Sequence, residues 1–255
     1  MGHFAGIDSL AYQSRALHWP PLGKLLLSIC LLIGSLSSKS PCGPLLVLGA
    51  GLFLFLYSTG GKIPSFIVFL IGAVMAFNMA GVFIIALTQA GQPILGIAVA
   101  GATIDVTREG LSLAALVFLR TFAGLFVMLF FAASTPIPHI FNSLKSVGLP
   151  DHIAEAAILI YRYSFMMLEQ SWQMLNAAGC RMGFSGWRNS MRTMGMVAAN
   201  MFIRSLELAE RSQYALQSRN FGGRFPLFQK PAEMTPAWGI ISIVALAGVY
   251  LVGNA

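Results

Sequence analysis

Five stretches of this sequence run for fifteen residues or more with almost no charge: 22–38, 44–58, 63–88, 111–133 and 238–252. An apolar helix of about 20 residues is long enough to cross a bilayer. Two of the runs are short for a span and must extend into their flanks or stand nearly upright. Only 10% of the 255 residues are charged and 56% are hydrophobic, where a soluble domain carries about 25% charged residues. The mean hydropathy of +0.74 agrees. The predicted fold is an all-α integral membrane protein, with about five transmembrane helices and long amphipathic helices on the cytoplasmic side.

Other classes are disfavoured. Three scattered cysteines, Cys30, Cys42 and Cys180, form neither a disulfide framework nor a CxxC pair. The opening lacks the basic stretch and apolar core of a signal peptide. Gly at position 6 breaks the myristoylation pattern. The net charge is +7, and ten of the sixteen Lys and Arg fall between 145 and 230. A basic segment in a membrane protein points to anionic headgroups or an acidic cytoplasmic partner. No nucleic-acid motif is present.

Three regions follow from this pattern: an N-terminal membrane region with four spans (1–133), a helical region (134–235) and a C-terminal span (236–255). Residues 95–107 hold β-branched residues and glycines with no helical stripe, and are expected to form an extended or hairpin excursion at the membrane surface. Arg120, inside the fourth span, should face protein or water rather than lipid. It is either a snorkelling or interhelical arginine or part of a conformational cycle.

Residues 137–146 predict a short amphipathic helix closed by Gly148 and Pro150. Asp151 is then the expected N-cap of a long helix to Cys180. Glu155, Arg162 and Glu169, seven apart, share one face of it. A second long helix is expected over 189–218, carrying Arg204, Glu207 and Arg211. A Pro/Gly linker leads to the last span. Charge bias puts the Arg-rich region in the cytoplasm. Four spans back, the amino terminus, with Arg15 and Lys24, is also cytoplasmic, and Lys62 in the second loop agrees.

Both long helices end alike. "NAAGCRMGF" places Arg181 before Gly183, and "ALQSRNFGG" places Arg219 before Gly222. A cation in the last turn stabilises the unpaired carbonyls of a helix end, and a glycine just beyond can adopt the left-handed closing conformation. This is ordinary capping. The repetition, and the choice of arginine, whose planar fork grips carboxylates bidentately, also suit two tips that dock into two equivalent acidic grooves.

The chain resembles the transmembrane T component of energy-coupling-factor (ECF) transporters, specifically the Q subunit of the cobalt/nickel type. The resemblance covers nearly its whole length. It is carried by Asp8, Ala11-Tyr12, Pro20-Pro21 and Lys24 in the opening, by the segment from Thr107 to Pro150, by Tyr161–Gln170 and by Arg204–Gly223. The family's paired Ala-Arg-Gly-like tripeptides stand here as Cys180-Arg181-Met182 and Ser218-Arg219-Asn220, so only the arginines match.

The resemblance implies a non-catalytic coupling subunit of an ATP-driven importer for a divalent transition metal, cobalt first and nickel next. Arg181 and Arg219 would dock on two ABC-type ATPase subunits, which bind ATP and Mg. Arg162, Glu169, Arg204, Gly183 and Gly222 would support the coupling helices. A separate metal-capture membrane subunit, with or without a small accessory membrane subunit, would be the other partner, in a prokaryotic plasma membrane.

The residues agree with that role. No GxxxxGK[ST] loop cradles phosphates. His3, His18, His139 and His152 lack ligand spacing, so no metal site is expected. Eight methionines between 166 and 201 suit an adaptable packing surface, the alternative being a soft-metal path. Among the coupling-helix charges, an interhelical ion pair is expected for Arg162 alone. A polytopic membrane enzyme would need clustered acids, yet Asp8, Asp105 and Asp151 lie far apart. A vitamin-type ECF component is the other alternative. A self-contained channel or secondary transporter would often show internal repeats, and none is clear.

Overall fold

The computed structural model describes residues 6–61, 63–88, 93–99, 102–220 and 235–254. The expectations for His3, Lys62, Gly222 and all but the last two residues of the 222–236 linker lie outside these residues. The chain forms two units, residues 1–143 with 231–255, and residues 144–230.

In the first unit, a short helix, α1 (Gly6–Gln13), precedes the apolar runs. It spans too few turns for periodicity to reveal it. Then come α2 (Pro21–Ser37), α3 (Cys42–Thr59) and α4 (Ser65–Thr88). An antiparallel hairpin follows, β1 (Pro93–Val99) and β2 (Ala102–Thr107), with Ile97 opposite Ile104. This is the predicted excursion, and it is the one departure from an all-α fold among the described residues. Thr107 ends β2 and caps α5 (Arg108–Ser134), its hydroxyl accepting the Gly110 N–H at 3.1 Å. Next is α6 (Ile137–Lys145), which crosses into the second unit. α9 (Pro236–Asn254) completes the membrane unit. Four helices, α3, α4, α5 and α9, are long and apolar enough to cross a membrane, and α2 is a shorter apolar helix of 17 residues.

The core sits where α2, α3, α5 and α9 meet, around Leu27, Leu31, Val47, Phe55, Val127, Phe130 and Val249. Without a hydrophobic drive between helices in lipid, close approach through small residues does the packing. A Cβ on Gly51 would sit 3.1 Å from Val127, and one on Gly34 would sit 3.0 Å from Val249. Trp19 bridges two elements, stacking on Tyr57 and tilting against Trp238 at 5.2 Å. α4 neighbours α5 and β2, and most of its apolar surface is exposed, as suits a lipid-facing helix.

Two cations close helix ends across the α2–α5 pair. The Arg120 guanidinium donates to the carbonyl of Ser38, the C-cap of α2. Ser38 is itself wedged between Gly43 and Gly253. Arg120 is thus an interhelical arginine facing protein. At the opposite end, the fully buried Lys24 donates to the carbonyl of Ser134, the last residue of α5, at 2.7 Å.

The second unit holds α7 (Asp151–Cys180) and α8 (Trp187–Ser218). Asp151 is not the N-cap: Pro150 occupies that position and Asp151 lies in the first turn. Its carboxylate pairs instead with Lys145, at 3.3 Å. The turn through Gly148, at φ 110°, brings Lys145 to the start of α7. α8 starts two residues earlier than predicted, because Gly186 takes φ 83° and its carbonyl receives the Ser190 N–H.

Candidate partner-docking site

At 1.5 Å per residue, the 30 residues of α7 and 32 of α8 make rods of about 45 and 48 Å. Rods of this length normally bury one face. Here the buried positions are few: Ala154 and Glu155 on α7, and Thr193 on α8. Large apolar side chains stand in the open, among them Ile160, Trp172, Met191, Met194 and Phe202, with Trp187 82% exposed. An exposed apolar surface of that extent marks an interaction site.

Polar contacts hold the two rods together. The Tyr163 hydroxyl donates to Ser212 Oγ at 2.7 Å, and Ser212 in turn donates to the Leu208 carbonyl. Beside them lies an apolar groove of about 430 Å³, lined by Leu159, Met167, Leu208 and Leu216. Gln170, Arg204, Glu207 and Arg211 line a smaller polar groove.

The two helix ends have the same geometry. Arg181 is the C-cap of α7 at φ −94°, ψ 16°. Arg219 is the C-cap of α8 at φ −95°, ψ 13°. Each is followed by a left-handed residue, Met182 at φ 59° and Asn220 at φ 51°. In α7 the Met182 N–H bonds the Gly179 carbonyl and the Gly183 N–H bonds the Ala178 carbonyl, at 3.1 and 2.9 Å. Those two bonds define the Schellman closure. In α8 the Asn220 N–H bonds Gln217 in the same way, at 3.0 Å. Both arginines are exposed, and among the described residues neither has a carboxylate within ion-pair distance.

The left-handed position was expected at glycine and is not. Met182 and Asn220 hold it, each directly after its arginine. Gly183 is needed for a different reason. A Cβ there would lie 2.9 Å from the Ala178 carbonyl oxygen and 3.0 Å from Thr193 Oγ1. The Thr193 hydroxyl donates to the Gly183 carbonyl at 2.8 Å. This bond ties the closed end of α7 to the second turn of α8. The small residue one place late therefore permits a close approach.

Among the described residues, the predicted ion pair of Arg162 is not formed. Its side chain is exposed, and among the described residues the ion pairs are those of Lys145 with Asp151 and Glu155. Glu155, on the same α7 face as Arg162, is turned inward toward Lys145 at 3.6 Å. Glu169 and Arg204 are exposed. The spacing of Lys145 from Glu155 carries no helical signature across the Gly148 turn, so the sequence concealed this pair. Among the described residues, no three His, Cys, Asp or Glu side chains cluster to hold a metal ion.

The cobalt transport protein family CbiQ matches residues 13–228, which takes in all of α7, α8 and both tips. The chain belongs to the CbiQ family. An uncharacterized protein of Methanocaldococcus jannaschii is 29% identical over 248 residues, covering 96% of this chain and 91% of that protein. The cobalt transport protein CbiQ of Salmonella typhimurium is 27% identical over 234 residues, 87% of this chain and 99% of that one. A protein of Methanocorpusculum labreanum, named as a fused cobalt transport protein CbiMQ, is 30% identical over 245 residues. This chain spans 94% of its own length in that match but 41% of the fusion. Family membership and four membrane-length apolar helices make this chain a multi-pass membrane component of cobalt transport. Relatives in Salmonella typhimurium and Rhodobacter capsulatus are both named as the cobalt transport protein CbiQ.

Proposed function

We propose that this chain is the coupling subunit of an ECF-type ABC importer for divalent cobalt, with nickel as the next candidate. Arg181 and Arg219 dock in acidic grooves on two ABC-type ATPases, which bind ATP and Mg. The apolar, methionine-rich surface of α7 and α8 takes a separate metal-capture membrane subunit, and the fused CbiMQ relative suggests a CbiM-like partner. ATP-driven closing and opening of the ATPases moves the two rods, and the rods move the capture subunit. The amino terminus and the second unit lie on the cytoplasmic side of a prokaryotic plasma membrane.

The observation that carries this reading is the matched pair of helix ends. Each presents an exposed guanidinium on a closed helix terminus of the same backbone geometry. A bidentate Arg–carboxylate contact needs the fixed direction that such a closure gives. The shortage of buried surface on α7 and α8 adds weight, since both rods lack a core of their own.

The test is co-purification in mild detergent of the tagged chain with the products of its neighbouring genes. The Arg181→Glu/Arg219→Glu variant is expected to insert in the membrane but to lose the ATPase subunits. Full retention of both ATPases would return the arginines to plain helix caps.

A further inference from the structure

The corner between α5 and α6 is held by one buried charge. α5 ends at Ser134, where the last carbonyls have no partner inside the helix and carry its negative dipole end. Lys24, 1% exposed on α2, donates to the Ser134 carbonyl. Ser134 and Thr135 are buried, and so is Pro136, which starts the next turn. The chain turns through the extended Thr135 (φ −131°, ψ 106°) into α6. The His139 N–H then bonds the Pro136 carbonyl at 3.0 Å. The His139 ring sits edge-on to Tyr12 of α1. Burial holds its pKa below the usual histidine range, and the nearby Lys24 charge pushes the same way. His139 is therefore neutral, and Lys24 supplies the positive charge at this corner.

Burying a lysine among apolar helices is costly unless its ammonium is well bonded. An apolar residue at position 24 would satisfy the packing alone. The three residues 134–136 are the covalent route from the membrane helices into α6, and α6 leads directly into α7. We infer that Lys24 is a positioning residue for coupling. It clamps the end of α5 to α2, so that movement of α7 displaces the α2–α5 pair instead of unwinding the last turn of α5. This inference rests on the proposed coupling function.

The experiment uses the full complex with its ATPases and capture subunit in lipid vesicles, with cobalt(II) as the transported probe. Lys24→Met, Lys24→Gln and Lys24→Arg are compared for ATPase co-purification, hydrogen exchange over residues 135–142, and cobalt taken up per ATP hydrolysed. Lys24→Met is expected to keep the ATPases bound, to speed exchange at the corner roughly tenfold through loss of a charged hydrogen bond, and to lower cobalt per ATP several-fold. Lys24→Gln keeps a donor without the charge and falls between; it serves where the methionine variant fails to insert. Lys24→Arg restores both readouts.

Unchanged exchange in Lys24→Met overturns the clamp. Faster exchange with cobalt per ATP unchanged overturns the positioning role. Failure of the docking reading is separately visible, as ATPase retained by Arg181→Glu/Arg219→Glu, and leaves the exchange result at position 24 as it is.

Discussion

Met182 sits in the left-handed region directly after Arg181, at φ 59°. For a residue with a Cβ this conformation costs about 1–2 kcal/mol. Replacing it with glycine removes that strain but frees the unfolded chain, which takes back about 0.4–1 kcal/mol. The Met182 side chain is 73% exposed, so little packing is lost. The net expectation for Met182→Gly is a helix end more stable by about 0.5–1 kcal/mol. Asn220 is the internal control. Its φ of 51° is nearly the same, but a short polar side chain tolerates that region, so Asn220→Gly should change little. The assay is hydrogen exchange at the amides that close the α7 end, those of Met182 and Gly183. Exchange there should slow about two- to fivefold, since 1.4 kcal/mol is tenfold. Equal slowing at both tips, or none at Met182, would refute the strain account. A loss of ATPase co-purification in Met182→Gly despite the firmer end would mean that the exposed thioether itself touches the partner.

Lys145→Met should destabilise the α6–α7 junction by about 1–3 kcal/mol. This is less than the loss of a fully buried pair, because the lysine side chain is 26% exposed while Glu155 is 10% exposed. Glu155→Gln should restore much of the loss, read as the melting temperature of the detergent-purified chain; no rescue would mean the pair is incidental. His139 gives a pH dependence whose sign is fixed by its lowered pKa. The unfolded chain protonates near 6.5 while the folded site resists protonation. Stability of the α5–α6 corner is therefore complete above that pH and falls as pH drops below it. Protection factors over 135–142, which divide out the intrinsic slowing of amide exchange in acid, should fall between neutral and mildly acid pH, and His139→Gln should flatten that profile.

The membrane helices were legible because a span is declared by length and apolarity within one run. Their starts and stops shifted by only a few residues, as where α5 began at Arg108, three residues before the apolar run. The tips were legible for the same local reason: a helix end marked by an arginine needs no tertiary information, although both arginines sit at the C-cap, one place beyond the last turn. What the sequence hid is non-local. Lys24 meets a carbonyl 110 residues away, and Arg120 meets one 82 residues away. Each of these bonds ends on backbone, which every residue offers, so no pattern of side chains announces it. Arg162 failed for the converse reason. Its apolar neighbours suggested a buried pair, but its neighbour Glu155 had a nearer cation in Lys145, reached by the fold-back at Gly148.

The two units of this chain solve opposite problems. In the membrane unit the charges that enter apolar surroundings are tied to helix-end carbonyls, the groups that most need a donor. In α7 and α8 most charges, Glu155 excepted, and the large apolar side chains are left on the surface, and two hydroxyl contacts, Tyr163 to Ser212 and Thr193 to Gly183, hold the rods in register. Hydroxyl contacts of this kind contribute about 1 kcal/mol each. They are strong enough to align the rods and weak enough to let them slide when something larger is bound. A pair of rods meant to stay fixed would bury its methionines and aromatics between them. Leaving Trp187, Met191 and Phe202 exposed is what the proposed docking of partner subunits on these helices would require.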